Sequence, residues 1–192
     1  MDASVDLYWI PLGAGGDVVR VSGKAFEAVS ARIRRRPRCA LYHSALIVDA
    51  PEGHFVIEQT PVPDVYGKQR RGVVVEGPVG MTLAGRFRLF RYEVRRWRDG
   101  TIPDLPYAVG DPIRVTGDPD RASLILELVP SVPPLVWGRD QRRTGDMWNS
   151  NAIIAWLLVT AGIDAGAIAP PPGGRAPGWR AGIAVAKATP GR

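Results

Sequence analysis

The chain has 192 residues, 45% of them hydrophobic and 23% charged, which suits a globular domain with enough material for a real core. One cysteine and two histidines exclude an internal disulfide framework and a cysteine-rich zinc site, and they leave few ligands for a transition metal. The net charge of +6 is carried almost wholly by arginine; with 22 Gly and 18 Pro, this reads as a compositional bias ahead of a nucleic-acid surface.

The opening MDASVDLYWI lacks the basic start and long apolar segment of a signal peptide. No apolar run is long enough to cross a bilayer, so a cytoplasmic protein is expected. Val5 to Ile10 reads as a first strand ended by Pro11. The loop Gly13-Ala14-Gly15-Gly16-Asp17 lacks the Gly-Lys-Ser/Thr ending of a phosphate loop and the spacing of a dinucleotide fingerprint, so it reads as a turn. Ser22 is placed to cap a helix over 23–35, with Phe26, Val29 and Ile33 at helical spacing and Pro37 as its stop.

A hairpin follows: Ala40 to Val48, a turn around Ala50-Pro51-Glu52-Gly53, and His54 to Thr60. An even turn keeps His43 and Glu58 on one face, since strand side chains alternate. A two-residue turn at 50–51 sets His43 opposite Glu58, and a four-residue turn at 50–53 sets it opposite Thr60 with Glu58 as a diagonal neighbour. A carboxylate there can hold the imidazole tautomer and stabilise its cation. His54, near the turn, reads as exposed, and Cys39, about 13 Å from His43 along an extended strand, reads as structural.

Residues 61–71 read as a polar loop, Val73 to Val75 and Arg86 to Val94 as strands, and 98–117 as turns and loop. Asp118 or Asp120 starts a helix over 119–129, with Leu124, Ile125, Leu128 and Val129 inward and Pro130 at its end. The stretch 144–162 then stands out. Asp146, Asn149, Ser150 and Asn151 are all suited to cap a helix, and from Ala152 to Ala161 only Thr160 is polar. A helix apolar all round belongs inside a domain. Ser150 therefore sits among unpaired amides at the positive end of a buried helix, as a cap or as a nucleophile. Residues 165–178 are rich in Gly and Pro, and Trp179 to Ala186 reads as a last short strand. The fold class expected is α+β, a largely antiparallel sheet on a buried central helix. One domain over 1–192 is expected, with a Pro/Gly-rich C-terminal segment at 167–192.

The order Tyr42-His43-Ser44-Ala45-Leu46-Ile47-Val48, Phe55-Val56-Ile57-Glu58-Gln59 and Trp148-Asn149-Ser150-Asn151 resembles the circularly permuted papain-like superfamily, including its lecithin-retinol-acyltransferase-like and NlpC-type members. The resemblance spans roughly 40–160. It implies a catalytic residue at the middle of the last motif, with the histidine and a third polar residue supplied by the strands. The family has cysteine where Ser150 stands here. A helix N-terminus and a histidine can lower a thiol's pKa, but a serine hydroxyl must lose its proton to a base during attack.

Two functions follow as expectations. The first is a hydrolase or acyltransferase acting on a small-molecule, lipid or peptide-like ester or amide. Ser150 would be the nucleophile, His43 the acid/base and Glu58 the orienting group, with the Ser150 amide in an oxyanion hole and no cofactor or metal. The second is a catalytically inactive domain that binds a peptide, lipid or protein partner in the same cleft. Nucleic-acid binding through Arg32 to Arg38 and the interleaved Arg86-Phe87-Arg88-Leu89-Phe90-Arg91-Tyr92 is the weakest reading.

Overall fold

The computed structural model describes residues 2–13, 39–61 and 72–188. The helix expected over 23–35, the Gly13–Asp17 turn beyond Gly13, and nearly all of the 61–71 loop lie outside these residues.

The protein is α+β. Strands β1 (Ser4–Pro11), β2 (Ala40–Ala50), β3 (Gly53–Pro61), β4 (Val73–Pro78), β5 (Arg91–Arg98) and β6 (Ile113–Thr116) form an antiparallel sheet in the order β4-β5-β3-β2-β1-β6. A two-residue strand, β7 (Gly174–Arg175), adds to the start of β2 in parallel. Helices α1 (Pro119–Leu128), α2 (Ser150–Thr160) and α3 (Trp179–Ala188) complete the fold. Among the described residues no helix is long and apolar enough to cross a membrane.

Alternation along the strands sorts the sheet into two faces. Val5, Leu7 and Trp9 of β1, Tyr42, Leu46 and Val48 of β2, Ile57 of β3, and Tyr92 and Val94 of β5 join the main core with the buried residues of all three helices. The opposite face holds a smaller cluster of Ile10, Ala45, Val56 and Ile102, with Tyr8, Ile47, Leu105 and Ala108 packed on it. That second face is covered by the segment 99–109, bound by the Val109 amide to the Trp9 carbonyl at 2.9 Å.

The hairpin closes on the two residues Pro51 and Glu52, with Ala50 opposite Gly53 and Asp49 opposite His54. This is the register of the four-residue alternative, tightened by one pair. Gly53 takes φ +129°, a conformation closed to most residues with a Cβ.

Three elements differ from the expectation. Residues 86–90 are not strand: 3-10 turns occupy Thr82–Arg86 and Arg88–Phe90, and β5 begins only at Arg91. The alternating Arg and aromatic residues therefore form no flat stacking platform. The loop 98–117 contains β6, which pairs with β1 through Leu7 opposite Ile113. Trp179–Ala188 is a helix, not a strand. Its buried residues Trp179, Ala181, Gly182 and Val185 recur at three- and four-residue steps, and its four alanines favour helix.

Gly182 explains how α3 sits so close to α2. A Cβ there would lie 2.1 Å from the Ala152 carbonyl oxygen and 2.8 Å from its carbon. Gly→Ala in a helix ordinarily gains about 1 kcal/mol of propensity, but overpacking against rigid backbone costs about 1–3 kcal/mol. Gly182→Ala is expected to lower the thermal midpoint measured by circular dichroism. A raised midpoint would mean that the two helices can separate without loss.

Candidate functional site

The start of α2 is built by three consecutive polar residues with separate duties. Asn149 is the N-cap, its side-chain oxygen accepting the Ala152 amide at 3.2 Å. Its amide group donates to the Pro177 carbonyl at 2.8 Å. Asn151, buried, donates from Nδ2 to the Tyr42 carbonyl at 2.9 Å and to the Pro177 carbonyl at 2.8 Å. It thereby ties the helix start to β2 and to the chain entering α3. Ser150 is the first residue of the helix and is buried. The approach to α3 is fixed too, since the Asp146 carboxylate accepts the Gly178 amide at 2.7 Å.

His43 and Glu58 lie on the other side of the sheet. β1 and β2 pair without interruption from Ser4–Asp49 to Pro11–Tyr42, which sets His43 opposite Ile10 and Ser44 opposite Trp9. Ile10 belongs to the smaller cluster and Trp9 to the helical core. His43 therefore points to the face covered by 99–109, away from the helices. Glu58 shares that face, directly opposite Arg95. Among the described residues no hydrogen bond or ion pair joins Ser150 to His43 or Glu58. On the helical side, β2 and β3 present Ser44 and Gln59, both buried, with the Ser44 hydroxyl and the Gln59 amide lacking hydrogen-bond partners. Neither is a proton acceptor of the kind a serine nucleophile needs.

The partner of His43 is Asp104, from the segment read only as loop. His43 Nε2 and Asp104 Oδ2 are 2.8 Å apart, with both side chains more than four-fifths covered. Burial alone would raise the Asp104 carboxyl, but the hydrogen bond and charge of His43 outweigh it and hold the pKa below the ordinary value. With Nε2–H donated to Asp104, Nδ1 is the nitrogen left to exchange a proton. Asp104 was missed because 61 residues separate it from His43. The only signal was an acidic residue among Ile102, Pro103, Leu105 and Pro106, where a carboxylate needs a partner.

Glu58 belongs to an ionic ribbon that continues toward β4. Arg95 donates to Glu58 at 3.3 Å and to Glu93 at 3.0 Å, all three buried. Arg88 approaches Glu93 at 4.0 Å, and Arg91 pairs with Glu76 at 3.0 Å. Burial raises the Glu58 pKa; Arg95 pulls it down, Asp104 pushes it up, and the net shift is upward. His43 is near enough for its charge to act on Glu58. His54, the other histidine, pairs with Asp49 at 2.7 Å across the hairpin end, in a half-exposed position.

Comparison of the chain with family models, with curated proteins and with solved structures finds no match in any of the three.

The two carboxyls make opposite contributions to stability against pH. Asp104 has a lowered folded pKa, so its contribution is present above the unfolded carboxyl value near ~3.9 and is lost as pH falls through the folded one. Glu58 has a raised folded pKa, so its favourable contribution exists below the unfolded value and is lost as pH rises through the folded one. Asp104→Asn is expected to cost about 1–3 kcal/mol at neutral pH, as for a hydrogen bond to a charged group, and the cost should shrink on acidification. For Glu58→Gln, stability relative to wild type should instead improve as pH rises. Parallel pH profiles in urea unfolding would contradict this assignment. Separately, Asn151→Ala should cost about 1–3 kcal/mol by removing two buried hydrogen bonds, whereas Ser150→Ala should leave the unfolding midpoint close to wild type.

Proposed function

We propose that the protein is a catalytically silent domain of the permuted papain-like kind, which binds a peptide, lipid or protein partner. The observation that carries this reading is the separation of Ser150 from His43 and Glu58 across the sheet. A serine is a poor nucleophile without a base in hydrogen-bond reach, and the one histidine with a suitable position has Asp104 as its partner on the far face. The polar residues around Ser150 serve architecture. Asn149 caps the helix and Asn151 holds β2 to α2, so the motif Asn149-Ser150-Asn151 has a reason to exist without catalysis.

A second reading, a hydrolase or acyltransferase of an ester or amide, is favoured by one observation: the 2.8 Å His43–Asp104 pair. A carboxylate orienting an imidazole is the base half of a catalytic set. In that reading Asp104 takes the orienting role, and the nucleophile is a group other than Ser150.

Treatment with a serine-directed fluorophosphonate separates the two. Under the binding reading no adduct forms at Ser150, and Ser150→Cys acquires no esterase activity, because a thiol at the same place still lacks its base. Labelling at Ser150 that disappears in His43→Ala would overturn the binding reading. Turnover of a model ester that survives Ser150→Ala and is lost in both His43→Ala and Asp104→Asn would establish the second reading.

A further inference from the structure

The segment between β4 and β5 presents an apolar surface. Met81, Leu83, Phe87, Leu89 and Phe90 are each between 46% and 68% exposed, and no residue of the two 3-10 turns carrying them is buried. The chain here is tied down. The Val79 amide donates to the Phe90 carbonyl at 2.8 Å and closes the base of the loop. The Ala84, Phe87 and Phe90 amides donate three residues back at 3.0–3.1 Å, and Arg91 Nε donates to the Gly85 carbonyl at 2.5 Å. Gly85 packs so closely on Pro78 that a Cβ would fall 2.7 Å from the proline ring. The five large apolar side chains are thus held outward by a fixed backbone, and contiguous exposure of this kind marks an interaction surface.

Its surroundings are cationic. No acidic residue occurs between Val79 and Tyr92, and Arg86 lies exposed among the apolar side chains. The neighbouring loop is bound alongside by the Trp137 amide to the Pro78 carbonyl at 2.9 Å and the Gly80 amide to the Trp137 carbonyl at 3.0 Å. It brings the exposed Arg139, Arg142 and Arg143, Arg139 also donating to the Gly80 carbonyl at 2.6 Å. Of the acidic residues in that loop, Asp140 is exposed and accepts the Thr144 and Gly145 amides, and Asp146 accepts the Gly178 amide, so the arginines outnumber the carboxylates.

We infer that this surface docks the protein onto an anionic lipid bilayer, with Phe87 and Leu89 entering the interface and the arginines meeting lipid headgroups. Charge complementarity selects an anionic occupant. The apolar tips stand outward on short turns and are collared by arginine, the form that enters a bilayer interface; an open cavity of about 570 Å³ lies beside them, between residues 80–82 and 136–141. Apolar insertion together with cation–headgroup attraction is the pair of signals that stable peripheral binding requires. The inference goes beyond the binding reading above, because it concerns a different part of the molecule and holds whether or not His43 and Asp104 take part in chemistry.

The test is co-sedimentation of the full chain with phosphatidylcholine vesicles, with and without phosphatidylglycerol. Retention on the phosphatidylglycerol vesicles is expected, weakening with salt. The Phe87→Glu/Leu89→Glu variant should bind at least about 10-fold more weakly, and Arg139→Ala/Arg142→Ala/Arg143→Ala should lose the preference for phosphatidylglycerol. Both sites are exposed, and an unchanged circular dichroism spectrum would show that each variant folds. Absence of vesicle binding by wild type, or equal binding by the Glu variant, overturns the inference. A wild-type dimer in light scattering that the Glu variant dissolves, without vesicle binding, would overturn it in favour of a contact between copies. Fluorophosphonate labelling reports on catalysis alone and leaves this result unaffected.

Discussion

The structure depends on the burial of α2. From Ala152 to Leu158 every residue of this helix is removed from water, so it must be covered on all sides. Each side is met by a different element: β2 and β3 beneath it, α1 beside it, and α3 packed against the Ala152 backbone at Gly182. Full burial of one large aliphatic side chain contributes about 1.5–3 kcal/mol, so Ile153, Ile154, Leu157 and Leu158 make this the element least able to move. The helix start is correspondingly over-determined by Asn149, Asn151 and Asp146. A cleft that opened around Ser150 would have to break those bonds.

The second constraint is the alternation of side chains along β2. Eight consecutive pairs with β1, free of any bulge, leave no room for the strand to rotate between Tyr42 and Asp49. Once Leu46 and Val48 enter the helical core, His43 must leave it. A one-residue slip would carry His43 to the side of Ser150, but it would also expel Leu46 and Val48 and bury Ile47 and Asp49 in their place. The apolar core outweighs any preference of a single histidine. The charged residues that share its face, Glu58, Glu93 and Arg95, are buried and therefore have to satisfy one another.

Much of this was legible in the sequence. The hairpin, the helix over Pro119–Leu128 and the buried helix from Ser150 follow from caps, prolines and hydrophobic spacing, which are local signals. Parity correctly put His43 and Glu58 on one face, but parity within a hairpin cannot say which face meets a helix a hundred residues later. That depends on which alternate set the core takes, and both sets here include apolar residues: Leu46 and Val48 on one side, Ala45 and Ile47 on the other. Asp104 and β6 escaped for a related reason, since neither has a local pattern and both are fixed by partners far along the chain. The last helix was misread because Ala and Gly alternate with larger residues in Trp179–Ala186, which mimics a strand until the tight approach to Ala152 shows why the small residues are there.

The exposed turns after β4 follow from the same accounting. Apolar side chains in the described chain have two destinations, the helical core and the smaller cluster under 99–109, and the sheet's strands already fill both. Met81, Leu83, Phe87 and Leu89 follow the edge strand β4, in the loop that returns to β5. Strand geometry across 81–89 would have put these four odd-numbered residues on one face, free to turn inward together. The 3-10 turns instead turn all of them outward, while Gly85 against Pro78 and Arg91 on the Gly85 carbonyl hold the backbone so. A loop free of this scaffold would fold its aromatic residues down onto the sheet, because exposing them is unfavourable. The hydrogen bonds that prevent this collapse maintain an apolar surface in water, and that cost is offset only when something apolar covers it.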